Sequence, residues 1–149
     1  MNLFAQRLRD FRNEAGLSQK KFGEYLGLKS TSYPNYEKYN TYPKIEDLKK
    51  IAIMLDISLD YLCGRIDDKK RLTDNYRVRN DILFSERLKE LRQQNGMTQL
   101  QVTEEIGLLA KSDYVEYERG KSIPPLPRLI ALADLFGVSL DYLVGFEEK

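Results

Sequence analysis

Histidine and tryptophan are absent from this chain of 149 residues, and Cys63 is its only cysteine. Without imidazole the commonest acid-base catalyst near neutral pH is gone. A lone thiol closes no intramolecular disulfide and completes no tetrahedral Cys/His zinc site. Cys63 holds the apolar position that Val144 takes later in the chain, so it reads as a small buried hydrophobe. No carboxylate pair stands apart from ordinary helix surface, so neither an enzyme activity nor a cofactor is expected. Long apolar runs are missing as well. Nothing approaches the ~20 residues of a membrane-spanning helix, and the opening MNLFAQRLRD lacks a signal-peptide core. The expectation is a cytoplasmic chain without a membrane partner.

Net charge is scarce too, at +1. It is unevenly spread: residues 1–68 carry +1, residues 69–81 carry +3 and residues 82–149 carry −3. For a chain that binds nucleic acid the distribution matters more than the sum.

What is present is one unit written twice. GLSQKKFGEYLGLKSTSYPNYEKYNTYP at Gly16 to Pro43 returns as GMTQLQVTEEIGLLAKSDYVEYERGKSIP at Gly96 to Pro124, and each copy leads into SLDYL, at Ser58 and Ser139. The offset is 80 as far as Leu28 and Leu108 and 81 thereafter, so one residue has been added inside the second motif. In the first copy Phe4, Leu8, Phe11 and Ala15 share a face at helical spacing, predicting a helix over about residues 3–14 stopped by Gly16. Ser18 caps a second helix that ends before Gly27, and Lys29 or Ser30 precedes a third. Gly23 is small where these two helices cross. A fourth helix turns Ile45, Leu48, Ile51, Ala52 and Leu55 inward, and Ser58 caps a fifth that ends at Gly64.

The string Gln19, Gly23, Gly27, Tyr33, Tyr36 and Glu37, repeated as Gln99, Gly107, Tyr114, Tyr117 and Glu118, resembles the helix-turn-helix of the Cro and phage-repressor (XRE) family. The resemblance implies an all-α fold of two lambda-repressor-like five-helix units, here residues 1–65 and 82–149, joined by a charged linker over 66–81. It implies a sequence-specific duplex-DNA-binding transcriptional regulator, a repressor of phage or mobile-element type. The alternative is a protein-interaction adaptor, antitoxin-like or antirepressor-like, that uses one or both units as a protein surface. A protein partner for the acidic second unit and a homodimer are further expectations. With the whole length used by such units, no separate ligand, protease or oligomerisation domain is expected.

The family pattern places base readout on Ser30, Thr31 and Asn35, supported by Gln19, with Lys38, Asn40 and Lys44 at phosphate. In the second unit the same positions are Lys111, Ser112 and Glu116, with Gln99 in support and Arg119 and Lys121 at phosphate. It also pairs Arg12 with Glu37 and Arg92 with Glu118. Pro34 departs from the family and predicts a shortened or shifted third helix. Tyr33 and Tyr36 read as core, whereas Tyr39 and Tyr42 fall in the following loop.

The first unit keeps Lys20, Lys21 and Gly23 where the second has Leu100, Gln101 and Thr103, so the first is expected to supply most of the DNA affinity. Lys69, Lys70, Arg71, Arg77 and Arg79 make the stretch 65–81 either a basic strap over phosphates or a solvated tether. Fully extended at ~3.3–3.6 Å per residue, it would bridge half-sites ~34–36 Å apart.

Overall fold

The computed structural model describes residues 2–77 and 83–149. The chain divides into two compact units, Met1–Asn75 and Tyr76–Lys149. The first holds α1 (Leu3–Ala15), α2 (Gln19–Tyr25), α3 (Ser32–Lys38), α4 (Ile45–Leu55), α5 (Leu59–Leu62) and α6 (Leu72–Asn75). The second holds β1 (Tyr76–Arg77), α7 (Phe84–Gln94), α8 (Gln99–Glu105), α9 (Lys111–Glu118), α10 (Leu126–Phe136), α11 (Leu140–Leu143) and β2 (Glu147–Glu148). No described helix is long and apolar enough to cross a membrane.

In the first unit the Asn2 side chain accepts from the amides of Phe4 and Ala5 and so starts α1, while Gly16, at φ 68°, ends it in the left-handed conformation. Phe4, Ala5 and Leu8 are buried, together with Phe22, Leu26, Tyr33, Tyr36, Leu48, Ile51, Leu59 and Leu62 from the other helices. Two residues expected inward are not fully so. Phe11 is half-buried with the Lys69 ammonium 4.6 Å from its ring centroid, and Ala15 is exposed at the last position of α1. Leu55 and Cys63 are likewise only half-buried, although Val144, the partner of Cys63 in the repeat, is fully enclosed.

The stretch read as a linker is in large part structured. The Lys70 carbonyl accepts from the Ser58 amide, Leu72 is fully buried, and the Asp56 carboxylate takes bonds from Thr73 N, Thr73 Oγ1 and Arg71 Nε at 2.8–3.0 Å. Asp56 ends α4 at φ 47°, the position at which α10 ends on Gly137. Its side chain thus does for α6 what a glycine could not. Lys69 lies 3.9 Å from Glu14. Of the cations read as a basic strap, Lys69 and Arg71 stand beside carboxylates of their own unit, and Arg79 lies outside the described residues.

Tyr76 and Arg77 pair antiparallel with Glu148 and Glu147, adding a two-residue ladder that the helical patterning gave no sign of. Arg77 Nη1 sits 3.9 Å from Glu147 there. With residues up to Asn75 held in one unit and Tyr76–Arg77 held in the other, the described part of the stretch, residues 65–77, is not a free tether. Its use as an extended bridge is corrected accordingly. The expected caps Asn80 and Asp81, and Ile82, lie outside the described residues; α7 begins at Phe84 after Leu83.

α1 is also fastened to α5 and the residues after it, and α7 likewise to α11. Arg7 donates to the carbonyls of Tyr61 and Ile66 and lies 4.0 Å over the Tyr61 ring. Arg87 repeats this with Tyr142 and Phe146, 3.8 Å over the Tyr142 ring. The sequence reading missed this pair, although Arg7 and Arg87 stand at the repeat offset of 80 and carried the signal.

Candidate nucleic-acid interface

Ser18 opens α2 by accepting from the Lys21 amide. Its partner Thr98 opens α8 through a reciprocal capping box with Gln101. Where α2 meets α3 the backbones approach so closely that a Cβ on Gly23 would stand 3.1 Å from the Tyr33 Cβ. The second unit has Thr103 at that crossing, buried and donating its hydroxyl to the Gln99 carbonyl at 2.7 Å.

One carboxylate fixes the third helix of each motif. Glu37, 2% exposed, accepts from Arg12 Nε and Nη2 at 2.8 Å each, from Gln19 Nε2 at 3.3 Å and from Arg9 Nε at 3.4 Å. Burial alone would push its carboxyl up, but the bonds from Arg12 and then Gln19 outweigh that and hold it at about 2. Arg12 also donates to the Leu17 carbonyl, tying the α1–α2 turn to the same cluster. In the second unit Arg92 meets Glu118 at 2.8 and 3.0 Å, Gln99 reaches it at 3.5 Å, and Arg92 donates to the Met97 carbonyl. Hydrogen bonding to Glu118 pushes the Arg92 guanidinium further up. The two pairings implied by the resemblance are thus present. They also place Gln19 and Gln99, both half-buried, as clamps on the glutamates as well as candidates for the groove.

The helices they hold differ. α3 starts at Ser32, so Ser30 is not its cap; Thr31 is, without a side-chain bond, and Pro34 falls at the third helical position. The missing N–H of Pro34 costs little there, because first-turn amides have no partner within the helix. α9 starts at Lys111, which matches Ser30, so α3 is shifted later by two residues at its start. Asn35 is half-buried and donates to the Thr31 carbonyl at 2.9 Å. Tyr39 ends α3 at φ 57° where the second unit has Gly120, its ring packing on Phe4 and Tyr42. Tyr42 remains exposed.

Ser30, Thr31, Lys38, Asn40 and Lys44 are exposed, as are Lys111, Ser112, Arg119 and Lys121, while Glu116 is half-buried. Exposed Lys20, Lys21 and Lys29 add positive charge to the first motif. On the second, Glu116 lies 3.5 Å from Arg119 and Asp113 is exposed in the first turn of α9.

Beyond the motif the balance reverses. The Tyr36 hydroxyl donates to Asp47 at 2.5 Å, whereas its partner Tyr117 accepts from Arg128 Nη1 at 2.9 Å. Burial, and then Asp47, pushes the Tyr36 phenol up to about 12. Arg128 is exposed in the first turn of α10. It was not among the residues singled out from sequence, since only the position opposite Asp47 marked it.

Two short helices crossed over a glycine or threonine, locked by a buried Arg–Glu pair and present twice, define a tandem helix-turn-helix protein of the Cro and phage-repressor type. The chain belongs to the helix-turn-helix family HTH_3, which matches residues 8–62 and again 88–143. It is 41% identical over 66 residues to the uncharacterized HTH-type transcriptional regulator YobD of Bacillus subtilis (strain 168), covering 44% of this chain and 58% of that one. It is 40% identical over 60 residues to the cryptic phage CTXphi transcriptional repressor RstR of Vibrio cholerae serotype O1, covering 40% and 54%. Among solved structures, the P22 c2 repressor in complex with a synthetic operator is similar at 25% identity, covering 42% of this chain and 94% of that one, with a TM-score of 0.40. The chain spans somewhat over half the length of the curated relatives it matches.

Proposed function

We propose that the chain is a sequence-specific duplex-DNA-binding transcriptional regulator of repressor type, acting in the cytoplasm without catalysis of its own. The observation that carries the reading is the duplicated clamp. In each unit Arg, Gln and Glu fix the angle between the motif helices and leave a row of polar and basic residues outward, which is what presenting a helix to a groove requires. Membership of the helix-turn-helix family and likeness to a protein named a phage transcriptional repressor support it.

In this reading Asn35 with Ser30 and Thr31, and Lys111 with Ser112 and Glu116, face base edges. Lys38, Asn40, Lys44, Arg119 and Lys121 face phosphate. The delayed start of α3 puts Ser30 and Thr31 ahead of the helix, so Asn35 takes the larger share in the first unit. The basic first motif supplies most of the affinity; the second, with Asp113 and Glu116, tunes spacing or serves a protein partner. Selection of bound sequences from a random duplex pool tests the reading. A regulator enriches a defined motif containing two half-sites, and an adaptor enriches none.

A further inference from the structure

Leu109 stands entirely in solvent, at 104% of its reference exposure, in the turn between α8 and α9. It stands where the second unit has gained a residue, directly after Leu108. Leu28 and Leu108 are matched core leucines, each 8% exposed, and the repeat offset changes just after them. The first unit continues from Leu28 with Lys29 and Ser30, exposed and polar. A half-exposed leucine is ordinary on a protein surface. This one makes no use of its side chain in its own unit, and it adjoins Ala110 and Lys111, the cap and first residue of α9.

The N-terminal end of a recognition helix is the part that meets base edges in the major groove. The apolar feature on those edges is the thymine C5-methyl, which small and apolar side chains contact. We propose that Leu109 is a specificity-determining residue of the second unit, closing on the C5-methyl of a thymine beside the base read by Lys111. The inference rests on the DNA-binding reading above. Because the first unit carries no exposed leucine at the turn, the two half-sites differ, and the apolar contact belongs to one of them.

Deoxyuridine lacks the methyl and keeps the pairing, so it isolates the contact. The full chain is titrated against the selected duplex and against duplexes with one thymine at a time replaced by deoxyuridine, at fixed salt. For the wild type, one replacement in the second unit's half-site weakens binding roughly four- to fifteenfold, the scale of burying one or two methyl-sized groups. Leu109→Ser, whose helical circular dichroism and melting match the wild type, binds the thymine and deoxyuridine duplexes within about twofold of each other. Wild-type indifference to every replacement, or an undiminished thymine preference in Leu109→Ser, overturns the inference and leaves DNA binding intact. A selection that yields no motif overturns both.

Discussion

Glu37 receives Arg12 on both oxygens, at 2.8 Å each, and so joins the first helix of its unit to the end of the helix that faces outward. Replacing the buried Glu37 by Gln leaves the half-buried Arg12 guanidinium without its charge partner and destabilises the first unit by about 3 kcal/mol. Thermal and urea unfolding monitored by circular dichroism measures it. Loss of DNA binding then follows loss of the fold.

The same carboxylate sets a pH dependence. Its folded value of about 2 lies below the ordinary 4.5, so the stability it lends is fully present above 4.5 and is lost as pH falls toward 2. The shift corresponds to about 3 kcal/mol at ~1.4 kcal/mol per unit. Unfolding between pH 6 and pH 2 shows this loss in the wild type and much less of it in Glu37→Gln.

Tyr33 and Tyr114 occupy matched positions and answer differently to loss of the hydroxyl. The Tyr33 hydroxyl donates to the Leu8 carbonyl at 3.3 Å, while that of Tyr114 is buried with no hydrogen-bond partner. Tyr33→Phe costs about 0.5–1.5 kcal/mol, and Tyr114→Phe is neutral or stabilising because it removes an unsatisfied group. Differential melting of the two variants decides it.

Asp56→Gly separates the end of α4 from the seat of α6. Glycine takes the left-handed conformation more readily, relieving about 1 kcal/mol, as Gly137 does in the second unit. The bonds to Thr73 and Arg71 are lost. Hydrogen exchange at the Thr73 amide quickens at least tenfold while the amides within α4 keep their protection.

Much of this was legible in the sequence. The repeat, Gly16, Gly23 and the spacing of Leu8, Ile51 and Leu59 specify helices and their buried faces, because helical periodicity and glycine conformations are local properties. The Arg–Glu pairs could be named from the resemblance. What was hidden depends on contacts across long separations. Nothing local told that Leu72 would be buried in a charged stretch or that Tyr76 would pair with Glu148. Nor could the start of α3 be fixed from Pro34 alone, which fits several early helical positions.

The ranking of the two units is tested with Gln19, Asn35 and Lys38 changed together to Ala, and separately Gln99, Lys111 and Arg119. Both proteins must first match the wild type in helical content and melting. The first triple variant loses clearly more affinity for the selected site. A larger loss in the second would show that the delayed α3 and the cation Arg128 outweigh the charge of the first motif.

The dependence of duplex affinity on salt tests the central claim most directly. Four cations assigned to phosphate, Lys38, Lys44, Arg119 and Lys121, are all exposed. At about 0.9 counterions released per contact they give a log–log slope of roughly −3.5. A steep linear fall of that order between low and physiological salt is the predicted result, and no measurable binding to the selected duplex even at low salt would contradict the account.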